Sequence, residues 1–160
     1  MLLFTGKSLE AQIQVYVFIM PDCPVCKYYL PKLHQLALSY KDASCRFYYV
    51  VPSKYLSEKE KKKFNRELRT IVSAPNEQIY PQPTDSICSR LNAKITPEIF
   101  VLDSNNNIVY SGAIDDKYSD VLTYQQETTQ FYLQQAIDHA LNNQIQPITR
   151  VEPVGCIISR

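Results

Sequence analysis

A chain of 160 residues with a formal net charge of +1 is long enough to bury the core of one domain, which we predict to span 1–160. The near-neutral charge argues against a nucleic-acid partner, because proteins that bind nucleic acids usually carry a basic face. No apolar run approaches the roughly 18 residues of a membrane span, and the first 13 residues lack the pattern of a signal peptide.

Along the first half of the chain, apolar periodicity predicts strands that alternate with helices. The expected elements are a strand at 15–20, a helix at 24–40, a strand at 46–51 and a helix from Ser57 to about Ala74. The first strand is apolar throughout, as is typical of strands buried on both faces of a sheet. Pro24 suits a first helical turn, Pro31 should kink that helix, and Ser57 with Glu60 forms a capping box.

Shorter elements follow in the second half. They are a Pro-rich loop at 75–83, a short helix with Ile87, Cys88 and Leu91, strands at 98–103 and 108–112, an irregular segment at 115–124, a helix at 126–142 and a tail at 143–160. An Asn-rich turn at 104–107 should join the two strands into a hairpin, because Asn tolerates left-handed backbone angles. This order predicts the α/β fold class, with a central mixed β-sheet flanked by helices on both faces and a core at about 14–142.

Two cysteines stand where the first strand ends and the first helix begins, in Cys23-Pro24-Val25-Cys26. A helix N-terminus stabilises a thiolate, and the pKa of a thiol in such a site falls from about 8.5 to roughly 3.5–7.5. The spacing brings both sulfur atoms onto one turn, so the pattern predicts a redox-active dithiol. The alternative is half of a structural zinc site, which needs a second pair of ligands. The remaining Cys and His residues show no such spacing.

With these residues the chain resembles the thioredoxin-like superfamily, and within it the redoxin or TlpA-like thiol-disulfide oxidoreductases, which are related to the AhpC/TSA proteins. The matching features are the Cys23–Lys27 motif, Pro31 five residues beyond the second cysteine, Thr96-Pro97 before the strand at 98–103, the stretch 95–116 and the ending Pro153-Val154-Gly155-Cys156. The resemblance covers about 15–156 and implies the thioredoxin fold.

The resemblance also implies roles for four residues. Cys23 should be the exposed nucleophile that forms a mixed disulfide, and the more buried Cys26 should resolve it. A cis peptide bond before Pro97 would leave the backbone of Thr96 free to pair with an incoming peptide as an added strand. We therefore predict Cys23 and Cys26 as catalytic residues and Thr96 and Pro97 as binding residues, and we expect neither a metal nor a cofactor.

Two positions depart from the family. Thioredoxin has a buried acid six residues before its first cysteine, where this chain has Val17, and some TlpA-like reductases have a glutamate where this chain has Tyr29. Glu98 is then the best candidate for the proton acceptor of Cys26. The alternative is that Glu98 is a solvated carboxylate at the start of a strand.

Five cysteines are an odd number, so at least one thiol has no partner within the chain. Cys156 has two open interpretations: a third redox thiol that folds over the site, or a small buried apolar side chain. Cys45 and Cys88 are expected to be inert core residues. His34 and His139 are expected to be ordinary side chains on helices.

The predicted function is a thiol-disulfide oxidoreductase, with disulfide-containing or dithiol proteins as substrates and a separate upstream redox partner. A thiol peroxidase of the redoxin group is one alternative, although neither Met20 nor Cys23 supplies the hydroxyl that such enzymes place three residues before the reactive cysteine. A copper chaperone of the Sco type is another alternative. In such proteins three residues separate the two cysteines and a distant His completes the site, whereas two residues separate Cys23 and Cys26 and no His lies in a comparable loop before a strand. The resemblance implies a periplasmic or otherwise extracytoplasmic location.

Overall fold

Four helices surround a mixed β-sheet in the computed structural model, which describes residues 12–54 and 56–158. The helices are Pro24–Ser39 (α1), Glu58–Ile71 (α2), Asp85–Leu91 (α3) and Tyr132–Leu141 (α4). The strands are Ile13–Phe18 (β1), Cys45–Val50 (β2), Glu77–Ile79 (β3), Ile95–Thr96 (β4), Glu98–Leu102 (β5), Ile108–Gly112 (β6), Tyr118–Asp120 (β7), Thr123–Tyr124 (β8), Arg150–Val151 (β9) and Cys156–Ile157 (β10).

The main sheet has six strands in the order β3-β2-β1-β5-β6-β9. β1 pairs in parallel with β2 and antiparallel with β5, so the helix that connects β1 to β2 crosses over one face of the sheet. β5 and β6 form the antiparallel hairpin expected from the Asn-rich turn. The predicted fold class, α/β with a central mixed sheet, is confirmed.

Side chains that alternate along β1 separate the core into two layers, one on each face of the sheet. Val15 and Val17 belong to the larger cluster, which also contains buried residues of α1, α2 and α4. Tyr16 and Phe18 belong to the smaller cluster, in which Ile87 and Leu91 of α3 pack. Helices therefore cover both faces.

Local sequence signals account for the starts of the first two helices. Pro24 is the first residue of α1, where the absence of an N–H costs no hydrogen bond, and Pro31 lies inside the same helix. Ser57 caps α2 through the predicted capping box with Glu60. α2 stops at Ile71, because the next free amides, of Ser73 and Ala74, donate to the carboxylate of Glu77 instead.

Two predicted irregular segments contain strands. β3 lies within the predicted loop at 75–83, where it pairs in parallel with β2 at Phe47, Tyr48 and Tyr49. β7 and β8 form a small hairpin within 115–124. Elements of two or three residues carry too little periodicity to be recognised, and a neighbouring strand defines them.

The last helix begins later than predicted, at Tyr132 rather than at 126. The preceding residues are held against the segment around Asp116. The backbone N–H of Thr129 donates to the Asp116 carboxylate at 2.8 Å, and the backbone N–H of Asp116 donates to the carbonyl of Gln130 at 3.1 Å. These bonds satisfy groups that a longer helix would have used.

The predicted tail, 143–160, contains two strands in the described residues. β9 pairs in parallel with β6, and it passes so close to Gly112 that a Cβ there would lie 1.7 Å from the carbonyl oxygen of Val151. Gly112 also has a φ of +121°, which side chains disfavour. β10 pairs antiparallel with β4. The single-domain assignment over 1–160 stays a prediction.

No helix among the described residues combines the length and the apolar character that crossing a membrane requires.

Candidate active site

Cys23 is the N-cap residue of α1, at the end of the segment that leaves β1. Its side chain makes no capping hydrogen bond, so the thiol is not used to hold the helix. Its carbonyl accepts from the backbone N–H of Lys27 at 3.1 Å, which fixes the first turn. Cys26 lies within that turn and is fully buried.

Three chain segments surround the thiol of Cys23. Its Sγ lies 3.1 Å from the carbonyl oxygen of Thr96 and 2.7 Å from the Sγ of Cys156. The residue is only 1% exposed. The expectation of an exposed nucleophile is therefore wrong for this conformation, because the C-terminal segment carrying Cys156 lies against the sulfur.

Hydrogen bonds lower the pKa of Cys23 to about 5. The largest contribution is a hydrogen bond from the thiol of Cys26; burial opposes it, and further hydrogen bonds come from the thiol of Cys156 and from backbone N–H groups of both residues. The 3.1 Å contact with the Thr96 carbonyl is a hydrogen bond only while Cys23 is protonated. At neutral pH the site therefore holds one thiolate between two thiol donors.

The two donor thiols shift in the opposite direction. Burial, followed by the interaction with Cys23, raises the pKa of Cys26 well above its ordinary value. Burial and the hydrogen bond to Cys23 raise the pKa of Cys156 to about 12. The interaction with Cys23 therefore raises the pKa of both Cys26 and Cys156.

The Thr96–Pro97 peptide bond is cis, and Thr96 is fully buried. The expectation that the backbone of Thr96 is free to pair with a peptide is wrong for this conformation, because β10 already occupies that edge, with Cys156 opposite Thr96. The hydroxyl of Thr96 also donates to the carbonyl of Cys156 at 3.3 Å.

Further contacts hold the C-terminal segment in place. A Cβ on Gly155 would lie 2.0 Å from the carbonyl oxygen of Thr96, so only glycine permits this approach. The backbone N–H of Ile158 donates to the carbonyl of Lys94 at 2.8 Å, and the Ile158 side chain is buried in the smaller core cluster.

Glu98 is buried rather than solvated, with 1% of its surface exposed. Its carboxylate accepts from the backbone N–H groups of Lys94 at 2.7 Å and Ile95 at 3.2 Å, and Arg150 Nη1 lies 3.4 Å away. These bonds fix the loop that leads to Thr96. The role of Glu98 as a proton acceptor for Cys26 stays a prediction.

Sequence reasoning missed an aromatic cluster near the dithiol. The rings of Tyr28 and Tyr29 lie 5.4 and 5.9 Å from the ring of Tyr118. The hydroxyl of Tyr29 donates to Asp115. Burial raises the pKa of Tyr118, and the charge of Cys23 is among the smaller contributions, which brings this ring within electrostatic range of the nucleophile. Tyr118 comes from the hairpin that the sequence did not reveal.

The other candidate residues lie in separate environments. His34 Nδ1 lies 2.7 Å from a carboxylate oxygen of Glu77, whose other oxygen accepts from the hydroxyl of Tyr49 at 2.7 Å, so His34 links α1 to β3. His139 Nδ1 lies 2.5 Å from the side chain of Gln146. Cys45 is buried, as expected of a core residue. Within 12–54 and 56–158, no cluster of three or more His, Cys, Asp or Glu side chains could hold a metal ion.

Comparison with solved structures identifies the fold. An uncharacterized conserved protein from Geobacillus kaustophilus is 23% identical, with a TM-score of 0.72, over 94% of this chain and 78% of that one. A hypothetical protein from Sinorhizobium meliloti is 20% identical, with a TM-score of 0.76, over 94% and 80%. The exposed lipoprotein thioredoxin Etrx1 from Streptococcus pneumoniae is 16% identical, with a TM-score of 0.52, over 64% and 75%. The chain has the thioredoxin fold.

No protein-family model and no curated protein sequence matches the chain. At these identities the structural similarity establishes the fold alone, and the expected fold of the resemblance is confirmed.

Proposed function

We propose that the protein is a thiol-disulfide oxidoreductase in which Cys23 is the nucleophile and Cys26 the resolving thiol. The observation that carries this proposal is the position of Cys23 at the N-cap of α1, one helical turn before the buried Cys26, whose thiol hydrogen bond lowers the pKa of Cys23 to about 5. Thiolates and not thiols attack disulfides, so Cys23 is in its reactive form at neutral pH.

The reaction has two exchange steps. The Cys23 thiolate attacks one sulfur of a substrate disulfide, forms a mixed disulfide and releases the other substrate sulfur as a thiolate. Cys26 then gives up its proton and attacks Cys23 Sγ, which releases the second substrate thiol and leaves a Cys23–Cys26 disulfide. The substrate gains two electrons from the dithiol and two protons, one given up by Cys26 and one taken from solvent, and a separate thiol reductant must restore the dithiol.

Thr96 and Pro97 form the proposed binding surface for the substrate disulfide. Support comes from the contact between the Thr96 carbonyl and Cys23 Sγ. An extended peptide could pair with this edge only after β10 has moved away, because β10 fills it in the structure. Disulfide-containing or dithiol proteins are the proposed partners, together with an upstream redox protein.

We place the protein outside the cytoplasm, in the periplasm or an equivalent compartment. Support comes from the similarity in fold to Etrx1, which is described as an exposed lipoprotein. In an oxidising compartment a dithiol does not stay reduced without a dedicated electron donor. The proposed upstream partner would meet that requirement.

The test is reduction of insulin by the full chain with dithiothreitol as electron donor. Wild type should accelerate the reaction, and Cys23→Ser should lower the rate to that of dithiothreitol alone. Cys88→Ser, which removes a thiol on α3, is the matched control and should retain the wild-type rate. Equal rates for wild type and Cys23→Ser would refute the proposal.

A second measurement, of the reduction potential against glutathione, sets the direction of electron flow. A potential near or below about −250 mV would indicate a reductant, and one near −120 mV an oxidant. Hydrogen peroxide consumption at a rate above insulin reduction would instead favour the peroxidase alternative. Stoichiometric Cu(I) binding with no reversible thiol couple would favour the copper chaperone.

A further inference from the structure

The two thiols that donate hydrogen bonds to Cys23 reach it from different parts of the chain. Cys26 lies three positions further along the chain, in the first turn of α1, whereas Cys156 lies 133 positions away, in β10. We propose that Cys156 is a third redox thiol, which forms a disulfide with Cys23 in exchange for the Cys23–Cys26 disulfide. This inference rests on the proposed function, which supplies the Cys23–Cys26 disulfide.

Contacts of the residues before and after Cys156 hold it in place. Pairing of β10 with β4 places Cys156 directly opposite Thr96. Gly155 allows the backbone to approach the Thr96 carbonyl, and Ile158 is anchored by its backbone and by burial. The two sulfur atoms lie 2.7 Å apart, so a disulfide of about 2.05 Å requires a movement of less than about 1 Å.

The step is an exchange within the molecule. Cys156 loses its proton and attacks Cys23 Sγ, the Cys23–Cys156 bond forms, and the Cys23–Cys26 bond breaks. Cys26 leaves as a thiolate and takes up a proton. One disulfide and one thiol are present before and after the step, so no additional oxidant or reductant is consumed.

The charges in the site favour attack by Cys156 only when Cys23 and Cys26 form a disulfide. In the reduced site the Cys23 thiolate adds to burial in raising the pKa of Cys156. Once Cys23 is in a disulfide with Cys26 it carries no charge, and that contribution disappears. Cys156 is therefore a hydrogen-bond donor in the reduced site and becomes a better nucleophile after the substrate has been reduced.

The exchange moves the disulfide to a sulfur atom that is more exposed to solvent. Cys23 and Cys26 are both buried, and Cys156 is half-buried. A Cys23–Cys156 disulfide would also hold β10 on the edge beside Thr96 and keep an extended peptide out. An external thiol would then meet the sulfur of Cys156 first, with Cys23 as the leaving group; low-pKa thiols leave readily.

Tryptic mapping of disulfides in the full chain tests this inference. Cleavage after Lys7 and Lys27 gives one peptide, 8–27, with both Cys23 and Cys26, and cleavage after Arg150 gives the peptide 151–160 with Cys156. An internal Cys23–Cys26 disulfide leaves 8–27 as a single peptide, lighter by two hydrogens. A disulfide to Cys156 joins 8–27 to 151–160. Reduced wild type, Cys26→Ser and Cys156→Ser are oxidised with oxidised glutathione, alkylated at low pH and digested.

We expect both species in wild type, complete loss of the joined peptides in Cys156→Ser, and joined peptides as the main disulfide product in Cys26→Ser. If Cys26→Ser gives only glutathionylated 8–27, the inference is overturned. Insulin reduction by wild type and Cys156→Ser, measured in parallel, reports the proposed function separately. Joined peptides without insulin reduction would refute the function and keep the exchange, whereas insulin reduction without joined peptides would do the reverse.

Discussion

Two regions of the molecule bring a thiol to Cys23, and they do so by different physical means. The N-terminus of α1 positions Cys26 through the geometry of one helical turn, which depends on nearby residues only. The C-terminal strand positions Cys156 through a strand pair, a close backbone approach at Gly155 and a buried anchor at Ile158. One arrangement is a property of a motif, and the other is a property of the whole fold.

This difference has an energetic consequence. Opening the first turn of α1 would disturb the larger core cluster, to which Cys23, Val25 and Cys26 all belong. Releasing β10 would break a pair of strands with two residues each at the C-terminal end of the described chain. We call the first turn of α1 the Cys26 arm and the strand β10 the Cys156 arm. Local opening costs least free energy where few buried contacts are lost, so the Cys156 arm should open before the Cys26 arm.

The largest effect is expected from a methyl group at Gly155, which should release the C-terminal segment from Cys23. In Gly155→Ala the new Cβ would lie 2.0 Å from the carbonyl oxygen of Thr96. Backbone atoms cannot move aside as the end of a flexible side chain could. Overpacking costs typically 1–3 kcal/mol, which would raise the population of the open C-terminal segment about 5- to 150-fold. Alkylation of Cys23 by iodoacetamide at pH 7 should accelerate by a similar factor, and the yield of joined peptides should fall.

The control for this variant lies two residues further along the chain, in β10. Ile157 is 75% exposed, so Ile157→Ala removes side-chain atoms without forcing β10 away from β4. We expect its alkylation rate to stay within about twofold of wild type, since exposed positions usually change stability by less than about 0.5 kcal/mol. Equal rates for Gly155→Ala and Ile157→Ala would contradict the account of how Cys156 is held.

The pH dependence of Cys23 should separate the contributions of the two arms. Because the pKa of Cys23 is lowered to about 5, its alkylation rate should rise as the pH rises through 5 and level off above. Cys26→Ala removes the largest stabilising hydrogen bond and should move the midpoint furthest toward the ordinary thiol value, about 8.5. Cys156→Ala should move it in the same direction by less.

Serine variants control this experiment, because a hydroxyl still donates a hydrogen bond to the thiolate. Cys26→Ser and Cys156→Ser should therefore lie between the alanine variants and wild type. The modified peptide 8–27 is quantified by mass spectrometry, in Cys26→Ala as the singly alkylated form. A larger shift in Cys156→Ala than in Cys26→Ala would reverse the ranking of the two arms.

Local patterns predicted the part of the site that neighbouring residues build. Cys23-Pro24-Val25-Cys26 at the start of a helix, and the capping box of Ser57, depend on interactions within one turn, and both are present in the structure. The continuous apolar run of the first strand likewise predicted burial on both faces of the sheet, and side chains of β1 enter both core clusters. These signals survive in a single sequence because spacing along the chain encodes them.

Elements defined by a distant partner escaped prediction for the opposite reason. β9 and β10 have two residues each, and their conformation follows from β6 and β4 rather than from their own propensity. The open question over Cys156 was a consequence, since nothing in Gly155-Cys156-Ile157 indicates which strand it meets. The covered nucleophile and the occupied edge at Thr96 could not be foreseen without that pairing.

Glu98 offers the smallest and most specific test, because it connects the two regions. Its carboxylate binds the amides before Thr96 and contacts Arg150 of β9, so it supports the surface on which β10 rests. Glu98→Gln keeps the shape but loses the charge, and hydrogen bonds to charged groups contribute about 1.5–3 kcal/mol each. We expect the free energy of unfolding in urea to fall by about that amount.

Glu152→Gln is the matched control, since Glu152 is exposed and pairs with the same Arg150, at 3.0 Å. Its unfolding free energy should stay within about 0.5 kcal/mol of wild type. If Glu98 only positions the loop, insulin reduction by Glu98→Gln should keep the wild-type pH profile. If Glu98 accepts the proton of Cys26, the resolving step should instead slow and its pH dependence should change. In that second case Glu98, which tertiary contacts hold in place, would take part directly in the chemistry of the helix dithiol.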